Sequence, residues 1–222
     1  MTWTLPNILT VARLIAAPLV LLVFVAVPTP LSYWLALGLF VLASVTDWVD
    51  GYIARKYKLE SRFGAMLDPI ADKAMVMLTI VVVLGASRLS PWLVIPGTVI
   101  LFREVFVSGL REFLGAQAGL LKVTKLAKWK TTLQMLALTF LLLALGMTEQ
   151  NDWLFRSMQP QEYQDLLTSG AQNHNPVWRD AMIEQWSWYL GVALFWIAGL
   201  LTGITGWDYF SKALPLLKEA GR

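Results

Sequence analysis

The chain is predicted to be an all-α integral membrane protein with six transmembrane helices. Of its 222 residues, 57% are hydrophobic, and the mean hydropathy is +0.58. Only 15% are charged, whereas a typical soluble domain has about 25%. The apolar residues also form long blocks, and an α-helix needs roughly 20 such residues to cross a bilayer.

Six blocks have this length. Pro28 and Pro30 mark a turn between the first two, and Pro91 precedes the fourth. The predicted spans, in chain order, are about Ile8–Val27, Leu31–Ile53, Ala65–Ala86, Trp92–Leu114, Trp129–Met147 and Trp188–Phe210. The N-terminus lacks a small-residue cleavage site, so we expect a retained first span and not a signal peptide.

Basic residues are distributed unequally between the two sides of this topology. Arg88, Arg156 and Arg179 fall on one side, and the other fifteen of the eighteen lie on, or near helix ends facing, the opposite side. Cytoplasmic loops are enriched in lysine and arginine. The richer side, which includes both termini, is therefore predicted to be cytoplasmic.

The segment at about 148–186 carries six acidic and two basic residues, a net charge of −4. We expect it to face away from the cytoplasm as an insertion in a single membrane-embedded catalytic domain, 1–222. It is interpreted as a spacer, although Trp153–Met158 and Val177–Trp188 could form short interfacial helices.

The absence of cysteine excludes disulfides, a thiol nucleophile and thiolate metal sites. The single histidine, His174, lies in a polar stretch far from the other candidate site residues, so a histidine-centred metal site is not expected. The lipid bilayer is the expected surrounding, and we expect no nucleic-acid partner.

Four aspartates stand where the second span ends and the third begins. Asp47 and Asp50 are three residues apart, and Asp68 and Asp72 are four apart, so each pair shares one helix face. A short link joins the two helices, which must be antiparallel neighbours with both pairs able to face each other. Carboxylates near a bilayer are costly and persist mainly at functional sites.

Four carboxylates in one site would repel one another, and two divalent cations would cancel their charge. Hard oxygen ligands favour Mg²⁺, Mn²⁺ or Ca²⁺ over zinc. Gly51 and Gly64 allow a ligand to approach the backbone, and Arg55 can bind a phosphate with two nitrogens. The cluster therefore predicts a site for a substrate that carries a pyrophosphate.

Two other interpretations stay open. The aspartates could cap helices or pair with the neighbouring basic residues Arg55, Lys56, Arg62 and Lys73. They could also belong to an ion-coupled transporter, although intramembrane carboxylates of that kind are expected along a path and not clustered at one membrane face.

The polar frame from Asp47 to Asp72, D-x2-D-G-x2-A-R-x8-G-x3-D-x3-D, resembles the signature of the CDP-alcohol phosphotransferases at all eight fixed positions. The resemblance extends over about residues 4–135 and the final span, whereas the insertion departs from it. Four further segments are similar to the bacterial phosphatidylglycerophosphate synthases of that family: Thr4–Thr10 with Arg13, Arg103-Glu104, Leu110–Glu112 and Lys128–Met135.

This resemblance implies a six-helix enzyme, usually a homodimer, in the bacterial inner membrane with its active site facing the cytoplasm. It implies transfer of a phosphatidyl group from CDP-diacylglycerol to sn-glycerol 3-phosphate, with two divalent cations, Mg²⁺ or Mn²⁺. Within the family, inositol phosphate, or phosphatidylglycerol as in cardiolipin synthesis, is the alternative acceptor.

The resemblance also implies roles for individual residues. Asp47, Asp50, Asp68 and Asp72 would bind the metals, and Asp72 would act as general base on the acceptor hydroxyl. The residues implied to contact CDP-diacylglycerol are Asn7, Thr10, Asp50, Gly51, Ala54, Arg55 and Gly64.

Basic residues on the fourth and fifth spans favour an anionic acceptor. Arg103 and Arg111 are eight residues apart, which places them about 80° apart around a helix. Lys128 and Lys130 open the fifth span. These four are predicted to bind the acceptor's phosphate through charge-assisted hydrogen bonds.

Overall fold

The computed structural model describes residues 4–57, 61–115, 125–173 and 175–220. This part of the chain forms seven helices: α1 (Leu5–Ala26), α2 (Leu31–Tyr57), α3 (Arg62–Ala86), α4 (Pro91–Leu114), α5 (Lys125–Ser157), α6 (Pro160–Asn173) and α7 (Pro176–Ala220). All except α6 are long and apolar enough to cross a membrane. The predicted class, all-α with six spans, is confirmed.

The helix ends follow local chemistry. Prolines stand in the first turns of α1 and α4, where a missing N–H breaks no helical hydrogen bond. Ser61 caps α3, since its Oγ accepts a hydrogen bond from the N–H of Gly64 at 3.0 Å. The Ser61 cap fixes the start of α3 and thereby the positions of its aspartates.

The helices form two connected groups. Helix α1 packs against α2 and α3, and α7 packs against α4 and α5, while α5 also contacts α2 and α3. Fully buried side chains line the contacts, among them Phe40, Met75, Ile80, Leu138, Leu141 and Phe195. Because lipid is as apolar as these side chains, packing and not water exclusion drives the helices together.

Small residues let α7 approach its neighbours closely. A Cβ added at Gly191 would lie 2.9 Å from Cγ of Leu141 in α5. One added at Gly199 would lie 3.0 Å from Cβ of Pro96 in α4. Real Cβ atoms do not pack this tightly, so the glycines permit the observed helix separations.

Helices α5 and α7 extend beyond the predicted spans. The fifth span was predicted to end near Met147, whereas α5 continues to Ser157, and α7 starts at Pro176 instead of near Trp188. The segment at 148–186 is thus built from the end of α5, from α6 and from the start of α7, and its interpretation as a spacer stays a prediction. Neither extension contains a glycine or an internal proline to interrupt it.

Polar contacts join these helices at the acidic end of the molecule. Glu184 accepts hydrogen bonds from Thr148 at 2.8 Å and from Asn151 at 2.5 Å, which ties α7 to α5. Burial, followed by the charges of Glu184 and Asp152, raises the pKa of the Tyr163 phenol above its ordinary value of 10.0. Helix α6 is therefore docked beside a concentration of negative charge.

The orientation in the bilayer stays a prediction, and single cysteines test it. A Glu162→Cys variant should react with a membrane-impermeant thiol reagent on intact cells, because α6 is predicted to face outwards. A Lys56→Cys variant should react only after permeabilisation. The native chain has no cysteine, so it supplies the blank, and the reverse labelling pattern would invert the topology.

Candidate active site

The four aspartates lie at one end of the group formed by α1, α2 and α3. Asp47 and Asp50 are in the last turns of α2, and Asp68 and Asp72 are in the first turns of α3. Three of them converge on Arg13, a residue of α1 that is only 3% exposed. The predicted facing pairs are therefore brought together, around a cation that the sequence analysis did not assign to the site.

Both terminal nitrogens of Arg13 are engaged. Nη1 donates to Oδ1 of Asp47 at 2.6 Å and to Oδ1 of Asp72 at 2.8 Å, and Nη2 donates to Oδ2 of Asp50 at 2.5 Å. Removing one partner of a buried ion pair leaves an uncompensated charge and is strongly destabilising. Arg13 thus ties α1 to both aspartate-bearing helices.

The cluster keeps a large negative charge. Four carboxylates and one guanidinium leave a net charge of −3. Among the described side chains the aspartates form their ion pairs with Arg13, and not with Lys56, Arg62 or Lys73. In those ranges no three carboxylates are arranged as metal ligands, because the three that converge do so on Arg13.

Helix α1 also holds the start of α3 through neutral contacts. The hydroxyl of Thr10 donates to Oδ1 of Asp68 at 2.6 Å. The hydroxyl of Ser61 donates to Oδ1 of Asn7 at 2.8 Å. A Cβ at Gly64 would lie 2.7 Å from that same Asn7 oxygen, so only glycine allows α1 and α3 to approach this closely.

A first cavity of about 350 Å³ opens beside these contacts. Its volume is in the range of small-molecule sites, and its wall contains small residues that leave room for a ligand. The lining residues are Pro6, Asn7, Thr10, Asp50, Gly51, Ala54, Ser61, Gly64, Ala65 and Asp68.

Six of the seven residues predicted to contact CDP-diacylglycerol line this first cavity. The seventh, Arg55, is in α2, but its side chain lies outside the described part of the structure. The placement depends on the short connection between α2 and α3, which sets their polar ends side by side.

A second cavity of about 240 Å³ contains the predicted acceptor-binding residues Arg103, Arg111 and Lys130. The side chain of Lys128 lies outside the described residues. The lining residues are Pro69, Asp72, Lys73, Val76, Met77, Arg103, Glu104, Arg111, Lys130, Thr131 and Gln134. Four of these residues are basic and two are acidic, so the lining carries a net positive charge.

The two aspartates of α3 line different cavities. Asp68 lines the first cavity and Asp72, one helical turn later, lines the second. Ligands in the two cavities would thus each have one carboxylate of this pair beside them. The arrangement suits a reaction between two phosphate-bearing substrates.

Helix α7 contacts two arginines of the second cavity, Arg103 and Arg111. Arg111 has its Nε 3.3 Å from the Tyr209 hydroxyl and its guanidinium 5.1 Å from the centre of that ring. A Cβ at Gly206 would lie 2.8 Å from Cγ of Arg103. The absence of a side chain at Gly206 therefore lets the Arg103 side chain pack directly against α7.

Four residues at the site, Arg13, Ser61, Lys73 and Glu104, were not predicted from the sequence. Arg13 had a usable signal, because it is the only charged residue of α1, and a charge inside a span implies a partner of opposite sign. Glu104 had a weaker one, since Phe102, Val105 and Phe106 surround it with apolar residues. In the sequence, Ser61 could not be told apart from an ordinary helix cap, and Lys73 could not be told apart from the other basic residues of the predicted cytoplasmic side.

Comparison with known proteins gives matches over most of the chain. Residues 3–161 match the model of the CDP-alcohol phosphatidyltransferase family. The chain is 54% identical to a CDP-diacylglycerol–glycerol-3-phosphate 3-phosphatidyltransferase of Cereibacter sphaeroides, over 99% of both chains. It is 42% identical to the Rickettsia bellii protein of the same name, over 93% of both.

A cardiolipin synthase (CMP-forming) of Oryza sativa is 43% identical to the chain, but over a shorter stretch. That match covers 63% of this chain and 45% of the rice protein. The full-length similarity thus lies with the glycerol-3-phosphate enzymes and includes the segment at 148–186.

Substituting Gly64 should destabilise the protein because a methyl group would collide with Asn7. We expect Gly64→Ala to lower the temperature of unfolding in detergent. Gly85→Ala is the matched control, since a Cβ there meets nothing within 4 Å, and a helical Gly→Ala change at an open site stabilises by about 0.5–1 kcal/mol. Equal stability of the two variants would contradict the packing of α1 against α3.

Proposed function

Since the chain belongs to the CDP-alcohol phosphatidyltransferase family, we propose that it transfers the phosphatidyl group of CDP-diacylglycerol to sn-glycerol 3-phosphate. The products are phosphatidylglycerophosphate and CMP, so the enzyme acts in phospholipid biosynthesis. The observation that carries this proposal is the 54% identity to a glycerol-3-phosphate phosphatidyltransferase over 99% of both chains. The two cavities, one lined by Asp68 and the other by Asp72, support it.

The donor is assigned to the first cavity. Gly51, Ala54 and Gly64 leave space along its wall, where a cytidine diphosphate could lie against the backbone. Arg55 is proposed to bind the pyrophosphate with its planar guanidinium. The acyl chains of the donor stay in the surrounding lipid, since this cavity lies between membrane-spanning helices.

Two divalent cations, Mg²⁺ or Mn²⁺, are proposed at the aspartates. Each aspartate bound to Arg13 uses one carboxylate oxygen for that contact, so its other oxygen is not taken by Arg13. Oxygen-only ligands suit these hard cations. Asp47 and Asp68 are proposed to hold both cations, with Asp50 completing one ligand set and Asp72 the other.

The charges support two cations and not more. Adding +4 to the cluster's −3 gives a net charge of +1 with Arg13 in place. A slightly positive site suits the anionic pyrophosphate of the donor. When bound, such cations stabilise developing negative charge and make a nearby hydroxyl more acidic.

The acceptor is assigned to the second cavity. Its phosphate is proposed to bind Arg103, Arg111, Lys128 and Lys130, which leaves a hydroxyl free to approach Asp72. Asp72 accepts the proton of that hydroxyl, while the hydroxyl oxygen of the acceptor forms a bond to the phosphorus of the phosphatidyl group. The bond from that phosphorus to CMP breaks, and CMP leaves with the bonding electrons.

Other acceptors and other classes have less support. The cardiolipin synthase match covers only part of the chain, and membership of a transferase family argues against the ion-coupled transporter. Inositol phosphate stays an alternative that only an acceptor panel separates. The homodimer rests on the family resemblance, and the cytoplasm-facing site of a bacterial inner-membrane protein rests on the basic residues; both stay predictions.

The metal proposal predicts that Asp68→Asn protein is inactive. Asp68 would serve both cations, so its loss should reduce CMP release from CDP-diacylglycerol to background. Excess EDTA should do the same to the wild type, and Mg²⁺ should restore it. Near-normal CMP release from the Asp68→Asn protein, or in EDTA, would show that no metal is needed.

The assignment of the two substrates predicts that replacing Arg111 impairs use of the acceptor, whereas replacing Arg55 impairs use of the donor. A charge-assisted hydrogen bond is worth about 1.5–3 kcal/mol, so Arg111→Ala should raise the KM for glycerol 3-phosphate about ten- to a hundred-fold. The KM for CDP-diacylglycerol should stay nearly unchanged. Arg55→Ala should impair use of the donor instead.

Arg156→Ala is the control for these variants, because Arg156 is exposed at the end of α5 predicted to face outwards. It should leave both KM values unchanged. If Arg111→Ala behaves like Arg156→Ala, the basic residues serve topology alone and the acceptor has to be reassigned.

A further inference from the structure

The basic second cavity contains a carboxylate that the proposed chemistry does not use. Glu104 of α4 has a side chain that is 11% exposed. It forms an ion pair with Lys130 of α5 and another with Nη1 of Arg103 at 2.9 Å, and it lies 3.9 Å from Nζ of Lys73 in α3. One carboxylate thus gathers three cations from three helices.

Lys73 is fixed at this cavity by a second contact. Its Nζ donates to the hydroxyl of Ser108 at 2.6 Å, and that hydroxyl donates to the backbone carbonyl of Glu104 at 2.6 Å. Lys73 directly follows Asp72 in α3. Both residues line the second cavity, so the ammonium lies at the same cavity as the proposed general base.

The three cations keep hydrogen-bonding capacity after binding Glu104. An ammonium has three N–H donors and a guanidinium has five, and the contacts of Lys130 and Arg103 to Glu104 use one donor each. Lys73, Arg103 and Lys130 all line the cavity. Their remaining donors can serve a second anion there.

Electrostatics explains why a carboxylate belongs in an anion site. Three neighbouring cations repel one another, and Lys130 is only 6% exposed, so its charge is costly to bury without a partner. Glu104 offsets one of the three charges and leaves two, which matches a phosphate monoester dianion. It also fixes where the cations stand before the acceptor arrives, which lowers the ordering cost of binding.

We propose that Glu104 is a positioning residue that presents Lys73, Arg103 and Lys130 to the phosphate of the acceptor, and that Lys73 binds this phosphate. The inference rests on the proposed function for the identity of the acceptor. It adds a residue of α3 to an acceptor site otherwise built from α4 and α5. Because Lys73 and Asp72 line the same cavity, one acceptor could place its phosphate at Lys73 and its hydroxyl at Asp72.

The first test uses Lys73→Gln, a variant that should fold because this side chain is 40% exposed. We expect the KM for glycerol 3-phosphate to rise about ten- to a hundred-fold, as for the loss of one charge-assisted contact. The KM for CDP-diacylglycerol should stay nearly unchanged. Lys212→Gln is the matched control, since Lys212 is an exposed lysine of α7 paired with Asp208; a Lys73 variant that behaves like it overturns the proposal.

The second test separates positioning from mere stabilisation at Glu104. Glu104→Gln keeps the size of the side chain but removes its charge, and it should raise the KM for glycerol 3-phosphate selectively. Glu104→Asp keeps the charge and should recover part of the loss. Glu162→Gln, on exposed α6, is the control. If Glu104→Gln changes both KM values alike and Glu104→Asp recovers nothing, Glu104 is only a structural ion pair and the proposal fails.

The third test measures anion binding without turnover. Inorganic phosphate should raise the unfolding temperature of the wild type, because a ligand that binds only the folded state stabilises it. This stabilisation should be lost in Lys73→Gln and kept in Lys212→Gln. Phosphate stabilisation that survives in Lys73→Gln overturns the inference even if the wild type forms phosphatidylglycerophosphate.

The same titration keeps the two proposals apart. If the wild type releases no CMP with glycerol 3-phosphate, yet phosphate stabilises it through Lys73, the anion site stands and the proposed acceptor is wrong. An absence of any phosphate stabilisation in the wild type would remove the anion site itself.

Discussion

The contact between Arg13 and three aspartates is the constraint on which the rest of the site depends. Apolar packing brings the membrane helices together, and this buried ion-pair cluster adds a specific polar link between three of them. A buried guanidinium bonded to carboxylates of α2 and α3 has few alternative geometries. Once α1 is held there, Asn7 and Thr10 lie against the start of α3, and the first cavity takes its shape between them.

Two environments of opposite charge share a border on α3. On one side four carboxylates exceed the single positive charge of Arg13, and on the other Lys73, Arg103, Arg111 and Lys130 exceed the negative charges of Asp72 and Glu104. The proposed donor and acceptor sites therefore have aspartates one helical turn apart on α3. In a medium of low dielectric constant such charges act strongly over short distances, so the two cavities favour ligands of different charge.

Much of the fold and of the aspartate cluster could be predicted from the sequence. The thickness of a bilayer sets the number of residues in a span, and the pitch of a helix sets the spacing of residues that share one face. The six spans followed from the first rule, and the convergence of Asp47, Asp50 and Asp72 followed from the second. Neither rule identifies the helix that supplies a positive charge to the aspartates, so the role of Arg13 became evident only from the tertiary structure. Helix ends were also misjudged: bilayer thickness limits the apolar block, whereas a helix such as α5 continues until a breaking residue stops it.

Helix α7 is unbroken from Pro176 to Ala220, about 68 Å at 1.5 Å per residue. It joins the acidic end of the molecule to the cavity that contains Arg103 and Arg111. Each added residue would rotate everything beyond it by about 100° and turn Gly206 away from Arg103. An insertion in α7 between Glu184 and Gly206 would therefore disturb contacts at one end of the helix or the other. A change of length in α6 or its connections leaves this register intact, so that end can diversify without altering the cavity.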